Sequence, residues 1–113
     1  MSSGYNEADL SAGAGNVHRA LASLQEELEA IDYYNQRLDR SDDAALKAIL
    51  AHNRDEEVEH ATMLLEWLRR NMPQFDATLK TYLFTNKPVE QIESDSAPAA
   101  GGAGSLGIGN LKS

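Results

Sequence analysis

Apolar side chains recur every three to four residues between Val17 and Leu68, which is the spacing of a helix that buries one face. The pattern is interrupted by the polar run Arg40-Ser41-Asp42-Asp43, and it stops at Asn71-Met72-Pro73. Because proline is excluded from a helix interior, the second interruption marks a helix end. The pattern therefore predicts an all-α chain that begins with two long helices in an antiparallel hairpin.

Candidate capping residues set approximate bounds for these helices. We expect the first helix to begin between Asp9 and Asn16 and to end near Asp39. Ser41 or Asp42 is a candidate cap for the second helix, because Ser and Asp side chains accept hydrogen bonds from a first helical turn.

The remainder of the chain predicts a short helix, a linker and a tail. A third helix is expected from about Asp76 to Phe84, after which Asn86-Lys87-Pro88 ends it. Residues 1–93 would form the helical domain, and the small residues of 94–105 predict a flexible linker. Residues 106–113 bring back large apolar side chains, which suggests a docking peptide; the alternative is a frayed terminus with incidental leucines. The three anchors of that peptide are Leu106, Ile108 and Leu111.

Charged side chains interrupt the apolar faces of both long helices. At about 100° per residue, Glu57 and His60 fall on the apolar face of the second helix. Glu27 lies beside the apolar stripe of the first. The apolar face of the second helix consists of Leu46, Leu50, Ala61, Leu64 and Leu68. The apolar stripe of the first helix consists of Val17, Leu21, Leu24, Leu28, Ile31 and Leu38. Burying an unpaired carboxylate is costly, so a bound metal ion would explain the inward groups. The alternative is an ordinary polar pair one turn apart.

These groups amount to half of a di-iron site. Such sites in four-helix bundles take one Glu from each of two helices and a Glu-x-x-His from each of the other two. Glu27 is the lone Glu, Glu57 and His60 form the paired motif, and no second copy of either follows. A hairpin of this size is also too small to bury a stable core alone. We therefore expect a two-fold dimer that forms a four-helix bundle and completes the site at its interface.

The ligand types indicate the chemistry. Carboxylates and imidazole without thiolate suit iron, with manganese or zinc able to compete, and oxidation of Fe²⁺ by dioxygen is the expected reaction. Which ring nitrogen of His60 binds stays open at this point, and the other nitrogen needs a hydrogen-bonding partner.

Composition narrows the partners. The 113 residues contain no cysteine and 42% apolar residues, which allows one domain without disulfides. No apolar run approaches the ~20 residues of a membrane span, and the N-terminus does not resemble a signal peptide. A formal charge of −8 argues against a nucleic-acid partner, and with it against a DNA-protecting mini-ferritin. We expect a cytoplasmic protein without membrane or nucleic-acid partners.

Other residues near the predicted site have two interpretations each. Tyr34 lies one heptad after Glu27, where it would either hydrogen-bond near the metal or pack at the dimer seam. Glu26 and Glu29 form an outward acidic pair, which is either a solvated face or a staging site for incoming Fe²⁺. His52 and Glu56 are expected at the surface rather than as ligands.

Five segments carry a resemblance to a known family: 18–21, 26–37, 46–53, 55–60 and 64–67. Through them the sequence as a whole resembles the encapsulated ferritins of the ferritin-like superfamily, which implies that the dimer forms a ferritin-like four-helix bundle. The C-terminal stretch Leu106–Leu111 resembles the targeting peptide by which cargo proteins dock inside encapsulin shells. At the position before Tyr34, where relatives commonly carry Trp, this chain has Tyr33.

The resemblance implies more than the spacing does. It implies a ferroxidase centre of Glu27, Glu57 and His60 across a dimer, with Tyr34 adjacent and Glu26 and Glu29 on the path of incoming metal. It also implies a ring-shaped decamer that oxidises iron and passes it to the surrounding encapsulin compartment for storage. The alternative is a helical cargo or assembly protein that holds a structural metal without redox activity.

Overall fold

The structure, a computed structural model, describes residues 7–96 and is all-helical over that range. This confirms the all-α fold class. Both long helices end within a residue or two of the expected positions. The elements are a short 3₁₀ helix (Glu7–Asp9), α1 (Ala12–Arg40), α2 (Ala44–Asn71), α3 (Pro73–Tyr82) and α4 (Val89–Ser96).

The first two helices pack against each other as an antiparallel hairpin. Near the connection, Arg54 Nη1 donates a hydrogen bond to Asn35 Oδ1 at 3.1 Å. Farther from it, Glu27 Oε1 lies 3.5 Å from His60 Nδ1. Residues earlier in α1 thus meet residues later in α2, so each level of the hairpin brings together side chains that are far apart in sequence.

The cap of α2 differs from the expected one. Asp43, rather than Ser41 or Asp42, is the N-cap, and its Oδ1 accepts a hydrogen bond from Leu46 N at 2.9 Å. Because the helix begins at Ala44, Asp43 is the residue directly before it, and an N-cap side chain accepts a hydrogen bond from the N–H three residues later, here that of Leu46. Ser41 instead accepts a hydrogen bond from Asp43 N within the connection.

The third helix is displaced toward the N-terminus of the chain. It begins at Pro73, not near Asp76, because proline is well suited to the first position of a helix as well as to ending the preceding one. It ends at Tyr82, and Phe84, expected to be helical, has a left-handed φ of 61°. That backbone conformation does not continue a right-handed helix.

The helix α4 was not expected from the sequence. Gln91 N and Ile92 N both donate to the carbonyl of Pro88, which starts the helix, and Ile92 is buried. Asp95 accepts hydrogen bonds from Lys87 and Gln91. These contacts carry the helix to Ser96, three residues into the segment 94–105 that its small residues predicted to be a linker.

The residues buried in the hairpin differ from those of the predicted apolar face and stripe. Ala20, Leu50, Ala61 and Leu68 are buried, whereas Leu28 is 54% exposed and Leu46 47% exposed; Leu21 is also exposed. Ala20 and Glu27 precede Leu21 and Leu28 by one residue, a rotation of about 100° around the helix axis. The seam of the hairpin, where α1 contacts α2, therefore contains Ala20 and Glu27. Leu21 and Leu28 lie beside it.

The chain divides into two units between Asp76 and Ala77, within α3. The first contains the hairpin and the second contains α4. Among the described residues, no helix is long and apolar enough to cross a membrane. The proposed docking peptide with Leu106, Ile108 and Leu111 lies outside the described residues.

Candidate metal centre

Glu27, Glu57 and His60 come together in the middle of the hairpin. Each offers one ligand atom, and these atoms all lie within 4.8 Å of one another. The helical period places Glu57 on the side of α2 that faces α1, beside the buried Leu50 and Ala61. The antiparallel arrangement then supplies Glu27 from α1 at the same level.

The imidazole of His60 lies against both carboxylates. Its Nδ1 is 3.4 Å from Glu57 Oε1 and 3.5 Å from Glu27 Oε1. Both glutamate side chains are 24% exposed and that of His60 is 43% exposed. The group is thus open to solvent on the side where the histidine lies.

One carboxylate oxygen of the group has no hydrogen-bonding partner. Glu27 Oε1 is buried and makes no hydrogen bond, and its contact with His60 Nδ1 is an ion-pair distance without hydrogen-bond geometry. Unsatisfied buried oxygens are rare in folded proteins because they have lost hydration without replacement. A cation bound between the carboxylates would supply the missing interaction, so the donor set fits a metal ion.

The carboxylates also repel each other. The neighbouring Glu57 carboxyl, with which Glu27 can share a proton, raises the pKa of Glu27, and partial burial raises it further. His60 lowers that pKa, but by less. Two acids at one site therefore have a single imidazole to offset them, an arrangement that favours an added positive charge.

The pKa of His60 is the result of opposing effects. Desolvation lowers this pKa, but attraction to Glu27 together with hydrogen bonding and attraction to Glu57 outweighs desolvation, so that the pKa is raised. Metal binding requires the neutral imidazole, so a cation at this site would replace a proton on His60.

The remaining predicted residues are not among the three clustered side chains. Tyr34 is half-buried, and the guanidinium of Arg37 lies 5.3 Å from the centroid of its ring. Glu26 and Glu29 are exposed, as expected for an outward pair. Glu29 Oε2 accepts a hydrogen bond of 3.0 Å from the hydroxyl of Tyr33. That interaction raises the pKa of Tyr33.

A contact to His60 was missed at the sequence level. Glu56 Oε1 lies 3.9 Å from His60 Nε2, and its other oxygen lies 3.8 Å from His52 Nε2. Both pairs are four residues apart on α2. The four-residue spacing is visible in the sequence, but it predicts only a surface pair, because Glu56 points away from the apolar face of α2.

Comparison with known proteins places this chain in a family. The EncFtn-like family model matches residues 4–86, which include both long helices and all three clustered side chains. The chain belongs to the EncFtn-like family. The expected resemblance to encapsulated ferritins is thereby confirmed.

Two curated relatives cover most of this EncFtn-like chain. An encapsulated ferritin-like protein of Rhodospirillum rubrum is 53% identical over 109 residues, covering 86% of this chain and 78% of the relative. A ferritin-like protein of Thermotoga maritima is 55% identical over 94 residues, covering 82% of each.

Two further matches concern a cargo protein and a solved structure. The encapsulin nanocompartment cargo protein EncC of Myxococcus xanthus is 40% identical over 58 residues, 51% of this chain and 45% of that protein. A crystal structure of a Nitrosomonas europaea protein has a TM-score of 0.74 at 58% identity, covering 79% of this chain and 98% of the other.

Proposed function

We propose that this EncFtn-like protein is a ferroxidase that uses dioxygen to oxidise Fe²⁺ to Fe³⁺. The observation that carries the proposal is the cluster of Glu27, Glu57 and His60, with the buried Oε1 of Glu27 left without a hydrogen bond. Oxygen and nitrogen donors without sulfur suit iron. Each of two substrate Fe²⁺ ions would give one electron to dioxygen, which would take up two protons from solvent and leave as hydrogen peroxide, while the carboxylates offset the increased charge on the iron.

The complete site in this proposal requires a second copy of the chain. One hairpin supplies two carboxylates and one imidazole, half of the ligands used by di-iron sites in helical bundles. A two-fold dimer would bring two such sets together around two metal ions and form the four-helix bundle. The apolar side chains Ile49 and Met63 on α2 support association, because each is more than half exposed in a single hairpin. Further association into a ring-shaped decamer belongs to the same proposal.

Within the site, each residue has a proposed role. Glu27 and Glu57 would bind the metal ions through carboxylate oxygens, as bridging or terminal ligands, and His60 through a ring nitrogen. Tyr34 would lie next to the ions, and the exposed pair Glu26 and Glu29 would attract incoming Fe²⁺.

Delivery of iron into an encapsulin nanocompartment completes the proposal. One relative is named an encapsulated ferritin-like protein and another an encapsulin nanocompartment cargo protein. Leu106, Ile108 and Leu111 would dock on the inner surface of a cytoplasmic shell, where the oxidised iron would be stored. Deleting residues 106–113 should abolish loading into a co-expressed shell and leave oxidation intact.

The experiment that tests the enzyme is aerobic Fe²⁺ oxidation, followed by ferric absorbance and oxygen consumption. Wild type should oxidise rapidly, and both Glu57→Ala and His60→Ala should fall to the background rate. Glu59→Ala is the matched control, because it removes an exposed carboxylate from the same helix and should retain wild-type activity.

The outcomes separate two functions. Equal background rates in wild type and all variants would overturn the ferroxidase proposal. If zinc or another redox-silent ion still bound in a manner lost with Glu57→Ala, the alternative of a structural metal in a cargo or assembly protein would replace it. Loss of activity in Glu59→Ala would show that surface charge, not the cluster, carries the reaction.

A further inference from the structure

The two ring nitrogens of His60 face different carboxylates. Nδ1 lies 3.4 Å from Glu57 and 3.5 Å from Glu27, the two acids of the candidate metal centre. Nε2 lies on the other side of the ring, 3.9 Å from Glu56 Oε1. The ring is therefore oriented with one nitrogen toward the centre and the other toward the flank of α2.

That orientation distinguishes the ligand nitrogen from its partner. A neutral imidazole has one nitrogen with a free electron pair and one that carries hydrogen. If Nδ1 binds a cation held by Glu27 and Glu57, the hydrogen must be on Nε2, and Nε2 needs an acceptor. An ionised carboxylate accepts hydrogen bonds only, and metal-bound histidines commonly donate their second N–H to such a group.

Glu56 is in the right place to be this acceptor. It precedes His60 by one turn of α2, so both side chains leave the helix on the same flank. Its second oxygen, Oε2, lies 3.8 Å from His52 Nε2, one turn earlier still. The Glu56 carboxylate is thus held between two imidazoles and presents a different oxygen to each.

We propose that Glu56 is a positioning residue for the metal centre and that Nδ1 of His60 is the nitrogen that binds metal. Glu56 does not reach the ions itself. It accepts the hydrogen of Nε2 and thereby holds the ring with Nδ1 directed at Glu27 and Glu57. The inference rests on the proposed metal-binding function and adds to it a residue outside the ligand set.

The test uses Zn²⁺, which binds such ligands without redox chemistry. Zinc affinity would be measured by competition with a chelator for wild type, Glu56→Ala, Glu56→Gln and Glu59→Ala. We expect Glu56→Ala to weaken binding about 10- to 100-fold, the usual effect of removing a carboxylate behind a metal-bound histidine. Glu56→Gln should restore part of the affinity, because its amide oxygen still accepts from Nε2. Glu59→Ala makes the same change of charge one turn along the helix and should bind like wild type.

Solid-state ¹⁵N NMR of zinc-loaded protein labelled in its histidine rings gives a second, independent reading. The signals that disappear in His60→Gln identify the ring. In wild type we expect zinc on Nδ1 and hydrogen on Nε2, and in Glu56→Ala a broadened or mixed population of ring orientations.

Each result has one meaning. Zinc on Nε2 of wild type, or unchanged affinity in Glu56→Ala, would overturn the role of Glu56. An equal loss in Glu59→Ala would also overturn it, since the effect would then be one of net charge. If wild type oxidises iron rapidly and binds zinc but Glu56→Ala does the same, only this inference fails. If wild type binds no zinc and oxidises no iron, the proposed function itself fails.

Discussion

Two clusters of charged side chains on α2 have opposite electrostatics. Around Glu66, every acid lies against an arginine: Arg69 Nη2 donates to Glu66 Oε2 at 2.8 Å, and Arg69 Nη1 to Asp76 Oδ1 at 2.5 Å. Arg70 Nε adds a contact of 2.7 Å to Glu66. These arginines lower the pKa of Glu66 to about 2. At the candidate metal centre, the pKa of Glu27 is raised instead.

The difference is that the acids around Glu66 are all paired with positive charge within one chain, whereas those around Glu27 are not. Around Glu66, two cations satisfy two acids, and the network joins the end of α2 to the first turn of α3. Around Glu27, two acids share one imidazole, and a buried oxygen has no hydrogen bond. In the first arrangement every acid is paired within the chain, whereas in the second the two acids outnumber the single imidazole and would gain from a further positive charge.

The largest change in stability is expected from removal of the shared arginine. Arg69→Met would leave Asp76 without its guanidinium contact and Glu66 with Arg70 alone, so the melting temperature should fall. Arg70→Met is the matched control, because it removes one contact of the more exposed arginine and should lower the melting temperature less. Thermal unfolding followed by circular dichroism measures both. An Arg69→Met melting temperature equal to that of wild type would show that the network does not stabilise the α2–α3 junction.

The second prediction concerns the opposite cluster. A raised pKa means that the ionised form of Glu27 is disfavoured in the folded state, so its contribution to stability declines as pH rises through that pKa. At pH 7, Glu27→Gln should therefore stabilise the metal-free protein, by about 1 kcal/mol, while abolishing zinc binding. Urea unfolding in the presence of a chelator, at one protein concentration, gives the free energy of unfolding. A less stable Glu27→Gln variant would show that the site is not strained by its charges.

The smallest effect is expected in acid. Because the folded pKa of Glu66 lies near 2 and its ordinary value is 4.5, its stabilising contribution is present above about pH 4.5 and is lost as pH falls toward 2. Glu66→Gln should flatten this part of the dependence of melting temperature on pH. Glu59→Gln, an exposed acid on the same helix, should follow wild type. Parallel curves for Glu66→Gln and wild type would contradict the assignment.

Local sequence rules determined much of this protein. The apolar period and the breaks at Arg40 and Asn71 located α1 and α2, because hydrophobic spacing and helix stops act within a few residues. The same period placed Glu57 and His60 on one face of α2. The same local rules placed the start of α3 incorrectly, because Pro73 follows the end of α2 and is also the first residue of α3. Composition alone also missed α4, whose helix is held by Ile92 and by the contacts of Asp95.

Only the tertiary structure determined which side of α1 packs against α2. Ala20 and Glu27, not Leu21 and Leu28, lie at the seam, a choice between positions one residue apart. The tertiary structure also determined that Nδ1 of the His60 ring faces Glu27 and that Arg69 donates a hydrogen bond to Asp76. The physical reason is that sequence periodicity fixes the angle of a side chain around its own helix axis. The rotation of one helix against another, and the rotamers this permits, depend on packing between residues far apart in the chain.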